Sequence, residues 1–269
     1  MGYFMFDCHV HSIYSNDSKV SIEEGIIAAI QAGLTGLIFT DHFEVACPPT
    51  SRGAKFNICE RAEILEKIGE KYLDNLIILK GIEVGVHYNS IQDINLLLKE
   101  NSFDFIIASV HSANKIRMCD PRVFEGQTKE SILKNYLETI LYGIENFDNY
   151  DVIGHIGHLC RELPWEDKSM LYKDYSDLID QILKNIINRG HGIEVNTTGF
   201  RRGLGGPIPS FEIIKRYYDL GGKVITIGSD SHEVCDIGRD FLIVRDKLKE
   251  IGFTYANYFI KREPVFYKL

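Results

Sequence analysis

The chain holds nine histidines, and their spacing is its most chemical feature. In DCHVHSIYSND (7–17), His9 and His11 lie two apart. Side chains of an extended strand alternate faces, so both imidazoles point to one side. Other histidines and carboxylates close short apolar runs: His42 in TDH, Glu83 in GIEV, His111 in SVH, His155 in IGH, and Asp230 with His232 in SDSH. Any one of these alone reads as a hydrogen-bonded residue at a strand end. Six histidines ending strands, together with placed carboxylates, read as a metal site. Imidazole nitrogen and carboxylate oxygen are the donors that divalent transition metals take. Asp17, in the loop after the first strand, adds another oxygen. His191 opens a strand and is assigned to the opposite rim, while His87 and His158 are left outside the ligand set.

Those residues need a scaffold that brings distant strand ends together. Strand-like runs fall at 3–11, 35–42, 76–86, 103–111, 150–158, 191–197 and 223–232. Several are near-continuously apolar, as in a parallel sheet covered on both faces. Helical periodicity falls between them at 21–34, 61–73, 91–100, 129–147, 175–190, 209–222 and 241–252. The first of these helices opens with a capping box, Ser21 with Glu24. Seven βα units with right-handed crossovers close most simply into a TIM-like (β/α)7 barrel, an α/β fold. Such a barrel carries its working residues at the C-terminal ends of the strands. With no linker or low-complexity segment, residues 1–269 are expected to form one domain. The tail EPVFYKL (263–269) is read as a short final strand.

Composition bounds the function. A hydrophobic fraction of 45% and a charged fraction of 25% fit an ordinary globular chain with one large core. The formal net charge of −8 argues against a surface that tracks nucleic acid. The six cysteines are scattered, with no CxxC pair, and are expected to be free thiols. Neither a membrane span nor a cationic leader is evident, so a cytoplasmic location with no membrane partner is expected.

The motifs DCHVHS, TDH, GIEV, SVH, GH and SDSH, in this order, resemble the PHP (polymerase and histidinol phosphatase) family of metal-dependent phosphoesterases across essentially the whole chain. The resemblance implies a distorted seven-stranded barrel and a trinuclear centre of divalent transition-metal ions (Zn, Mn or Fe). It would place one ion on His9, His11, Glu83 and Asp230, with Glu83 bridging to a second held by His111 and His155, and a third on Asp17, His42 and His232. Asp7 and Glu44 are expected to orient ligand imidazoles.

Such a centre implies hydrolysis of a small-molecule phosphomonoester by in-line attack of a metal-bound hydroxide, held by Glu83 and Asp230. No residue stands out as the proton donor to the leaving group. Arginines punctuate the expected mouth loops, and a guanidinium fork suits phosphate oxygens. Arg161 leads this set, followed by Arg117, then Arg201 and Arg202. Within the family, a freestanding chain with long inserts after strands two, four and six is most similar to the phosphatases of L-histidinol phosphate, an intermediate of histidine synthesis. Asp120, Glu162 and Glu194 are candidate acceptors for that substrate's ammonium and imidazole. The alternatives are a protein tyrosine phosphatase or a nuclease of the same fold, or a metal-binding regulatory module.

Overall fold

The structure is a computed structural model that describes residues 4–45, 55–113 and 115–269. Seven parallel strands follow in chain order: β1 (Phe6–Val10), β2 (Gly36–Phe39), β3 (Ile77–Gly85), β4 (Phe105–Ser109), β5 (Val152–Ile153), β6 (Gly192–Asn196) and β7 (Ile225–Gly228). Each pairs with the next. One long helix follows each strand: α1 (Ile22–Gln31), α2 (Ile58–Gly69), α3 (Ile91–Glu100), α4 (Lys129–Asn146), α5 (Ser176–Asn188), α6 (Phe211–Asp219) and α7 (Phe241–Ile251). The expected seven βα units are therefore present. β4 reads FIIAS and is buried throughout, as a strand between a barrel interior and a helical layer must be. On α5 the buried residues Ile179, Ile182, Leu183 and Ile186 recur at helical spacing and form its inner face. Ser21 and Glu24 make the capping box that opens α1.

The ring nearly closes where β7 returns to β1, and it does so at the strand ends that carry the chemistry. Asp230 donates its N–H to His9 O at 2.8 Å, and His11 donates to Ser231 O at 2.9 Å. At the other end of these strands, a hairpin of β8 (Tyr255–Ile260) and β9 (Glu263–Lys268) fills the gap. Asn257 Oδ1 accepts the Ile225 N–H at 2.9 Å, and Tyr258 stacks on Phe6 with centroids 3.8 Å apart. The tail strand was expected, but β8, its partner, was not.

Several strands are shorter than their apolar runs. The run at 150–158 yields only Val152–Ile153. Beyond it, a Cβ on Gly154 would lie 2.5 Å from Ser109 Oγ, His155 has φ 22°, and Gly157 has φ 119°. The backbone leaves the strand there to turn His155 inward. His42 occupies a separate two-residue strand, His42–Phe43, opposite Glu83 of β3. Among the described cysteines all five are free, and Cys47 lies outside the described residues. Tyr3 and part of the insert after β2 lie outside them as well. No helix among the described residues is long and apolar enough to cross a membrane.

Candidate metal centre

Glu83 lies fully buried at the end of β3, and five imidazoles converge on its carboxylate. His155 Nε2 is 2.9 Å and His111 Nε2 3.3 Å from Oε1. His42 Nδ1 is 2.7 Å, His9 Nε2 3.4 Å and His11 Nε2 3.6 Å from Oε2. Glu83 Oε2 and His42 Nδ1 are nonetheless both buried without a hydrogen-bond partner, because their close approach lacks hydrogen-bond geometry. Asp230 adds its Oδ1 3.3 Å from His11 Nε2 and 3.7 Å from His9 Nε2. Its φ of 51° is unusual for a residue other than glycine and aims the side chain across the rim. Half-exposed Asp17 lies 3.5 Å from His42 Nε2 and 3.4 Å from His232 Nε2. All nine sequence-selected residues thus meet at one mouth.

The outer nitrogens of His9, His111 and His232 are tied back, whereas His155 Nδ1 is buried without a hydrogen-bond partner. His9 Nδ1 is 2.6 Å from Glu194 Oε1, and His111 Nδ1 meets Glu44 Oε1. His232 Nδ1 is 3.1 Å from the Asp230 carbonyl oxygen. Carboxylates and carbonyls only accept, so the Nδ1 of each ring donates, and a neutral ring then aims a lone pair inward. Lone pairs facing the Glu83 carboxylate are repulsive unless something positive lies between them. Protons supply that charge when no metal does. His9 and His42 are pushed far above the usual imidazole range and His111 up to about 9; in each case burial opposes the shift and nearby carboxylates, Glu194, Glu83, Asp17 and Glu44, overcome it. Glu83 and Asp230 are held well below the usual carboxylate range, against burial, by the facing histidines. His11, hemmed in by burial, His232 and His42, falls to about 3. A divalent ion would displace the protons and satisfy the same donors, so the donor set fits a metal. Four groupings bring their ligand atoms within 4.8 Å of one another: His9, His11 and Glu83; His42, Glu83 and His111; His11, His42 and His232; and His111, His155 and His158.

Three expectations need correction. Asp7 holds no imidazole; its oxygens accept backbone N–H groups from Ser229 at 2.9 Å, Gly238 at 3.0 Å and His9 at 3.3 Å. Its role is to tie β1 to the β7 end, and burial raises its pKa to about 6. Glu194 is unavailable to substrate because it is fully buried between His9 and the His155 backbone N–H, 2.8 Å away. It reaches His9 from β6 by crossing Gly228 of β7, where a Cβ would lie 2.3 Å from its Oε1. Gly85 lets Glu44 cross toward His111 in the same way, its Cβ position being 2.1 Å from Glu44 Oε2. Asp120 is occupied by Arg122 and caps the turn Pro121–Phe124. Glycines at strand ends beside carboxylates were the readable signal for these crossings. His158, three residues after His155, was left outside the set, yet it closes one metal-sized cluster.

Beside the centre opens a cavity of about 560 Å³, lined by Asp17, Arg161, Thr198, Arg201, Asp230 and His232 among others. Arg161 donates to Asp230 Oδ2 at 3.0 Å, and its Nε lies 4.0 Å from Glu162. Arg201 is braced by Asp236 at 3.0 Å and by the Ser229 carbonyl at 2.8 Å. Exposed Arg202 lines the same cavity. Arg117 lies elsewhere, in the small hairpin after His111, where its charge helps to lower the Glu44 pKa. A second cavity, of about 600 Å³, shares only Arg202 with the first and contains none of the converging imidazoles.

A parallel barrel with clusters able to hold divalent metal ions at its strand ends has the makeup of a barrel metalloenzyme. Residues 7–198 match the PHP domain, and the chain belongs to that family. It is 31% identical to a probable histidinol-phosphatase of Clostridium acetobutylicum over 88% of this chain and 90% of that relative. It is 30% identical to the histidinol-phosphatase of Lactococcus lactis over 92% and 91%. A crystal structure of histidinol phosphate phosphatase from Lactococcus lactis, complexed with zinc, L-histidinol and phosphate, superposes with a TM-score of 0.87 at 27% identity. That superposition covers 97% of this chain and 98% of that one.

Proposed function

We propose that this chain is a metal-dependent histidinol-phosphatase, hydrolysing L-histidinol phosphate to L-histidinol and phosphate in the cytoplasmic synthesis of histidine. Residues 1–269 act in this reading as one phosphoesterase domain. The observation that carries it is the buried Glu83 carboxylate, ringed by inward-facing imidazole nitrogens and opening beside an arginine-lined cavity. The close likeness in sequence and shape to histidinol-phosphatases supports the choice of substrate.

Three divalent transition-metal ions (Zn, Mn or Fe) fit the donors. His9, His11, Glu83 and Asp230 would hold one; Glu83, His111 and His155 a second; Asp17, His42 and His232 a third. Bound ions would acidify a water to supply the nucleophile and would offset charge on the phosphoryl oxygens. The chain's own groups do the rest. Arg161 and Arg201, already braced at the cavity wall, orient the phosphate through charge-assisted hydrogen bonds. Glu162, partly exposed beside Arg161, is the acceptor assigned in this reading to the substrate ammonium. Arg202 at the rim and Arg117 behind Glu44 are weaker candidates, one for exposure and one for distance from the cavity. The net charge of −8 weighs against a nucleic-acid substrate.

The test is a comparison of kcat/KM for metal-loaded protein on L-histidinol phosphate, a phosphotyrosine peptide and single-stranded DNA. The expected preference for the first is about 100-fold or more. Comparable turnover of either competitor, or none of any, overturns the reading.

A further inference from the structure

Arg61 is the largest fully buried side chain among the described residues, and it sits on α2, outside the ring of metal donors. Burying a guanidinium is costly unless its charge and its N–H groups are met. Here Nη1 donates to Asp41 Oδ2 at 3.0 Å and Nη2 to the Gly81 carbonyl at 2.6 Å, while the plane packs on Phe56 and only Nε is left buried without a partner. Asp41, equally buried, directly precedes His42. Its carboxylate also accepts from Ser12 N at 2.7 Å, Ser12 Oγ at 2.9 Å and Ser15 Oγ at 2.9 Å. The last bond decides the chemistry. A hydroxyl has one proton and two lone pairs. With its proton given to Asp41, Ser15 Oγ can only accept, and two donors stand within reach: His42 N at 3.1 Å and His11 Nδ1 at 3.0 Å.

We infer that Arg61, Asp41 and Ser15 form a buried positioning relay that fixes the His11 tautomer, holding the proton on Nδ1 and presenting Nε2 to the metal centre. The relay rests on the metal-centre reading above and extends it to residues that touch neither metal nor substrate. It differs from the ties on His9 and His111, which end directly on a carboxylate. Here the carboxylate acts through a hydroxyl that also carries the His42 backbone, so one device sets two neighbouring donors. Arg61 holds Asp41 Oδ2 with a donor at 3.0 Å, which fixes the carboxylate where Oδ1 accepts from Ser15 Oγ at 2.9 Å.

Two measurements on the full chain test this. Zinc affinity is measured by chelator competition for wild type, Ser15→Ala and Asp41→Asn, and the His11 ring nitrogens are observed by 15N NMR in the metal-free proteins. Ser15→Ala is expected to weaken zinc binding by about 10-fold while the protein stays folded, in line with losses of outer partners of metal-bound imidazoles. Wild type should show a protonated Nδ1 on His11, and both variants a shift toward the Nε2–H form. Should Ser15→Ala fail to fold, Asp41→Asn, which keeps the side-chain volume, carries the same comparison. A merely structural network would lower the melting temperature but leave zinc affinity and the ring signals as in wild type, and that result overturns the relay. An unprotonated Nδ1 in wild type does so as well. If wild type takes up no zinc at all, the metal reading of the preceding section fails, while the His11 signals still decide the relay.

Discussion

Asp230 bridges two roles at the rim: it faces His9 and His11 through Oδ1 and holds Arg161 through Oδ2. Replacing it with asparagine keeps the shape and removes the charge. Asp230→Asn should therefore lower kcat by roughly 10³-fold while the protein stays folded; near-normal turnover would remove Asp230 from the centre. Arg161→Ala tests the neighbouring contact. If the guanidinium binds ground-state phosphate, its loss should raise KM by about 10- to 100-fold with little change in kcat, the worth of one charge-assisted hydrogen bond. Equal losses in kcat and kcat/KM would instead mean that the arginine acts only in the transition state. The residues that converge were readable because chemistry restricts them: few side chains other than histidine and carboxylates end so many apolar runs. Their supporters were harder to read. Glu194 looked like a substrate acceptor and Asp7 like a brace for an imidazole, and only the crossing over Gly228 and the backbone donors around Asp7 separate the two roles.

Among the elements, periodicity located every long helix and every barrel strand, because a buried strand and an amphipathic helix differ in the spacing of their apolar residues. It overextended the strands. The strand-like runs extend through GHIGH (154–158) and GSDSH (228–232), the turns that aim His155 and Asp230 inward, where positive φ angles end the pairing. It also missed β8, since YANYFI has no flanking turn signal distinct from the end of α7. That strand matters to closure, because Asn257 caps the Ile225 N–H that no neighbouring strand reaches. Asn257→Ala would leave that donor buried without a partner, so a loss of about 1–3 kcal/mol in unfolding free energy is expected. Because Asn257 lies at the end of β7 opposite Asp230, kcat should be unaffected; a fall in kcat matching that of Asp230→Asn would show the two ends to be coupled.

For the molecule as a whole, the centre is also a clasp. Its donors come from β1, β3 and the short strand that holds His42, and from the segments just after β1, β4, β5 and β7, so an ion bound there joins segments from nearly the full length of the chain. Zinc at about 100 times its dissociation constant should add about 2.7 kcal/mol to stability and raise the melting temperature by about 5–10 °C. Chelation should reverse that shift and abolish turnover together; a chelated protein that kept full activity would end the metal reading. The amino-acid sequence by itself determined the alternation of elements, the barrel class and the types of donor, because these follow from local periodicity and from the chemistry of single side chains. The tertiary structure alone decided which oxygen faces which nitrogen, which acid serves a histidine rather than a substrate, and that a buried arginine on α2 reaches His11 through two other residues. Those assignments depend on contacts between segments far apart in the chain, and no local pattern carries that information.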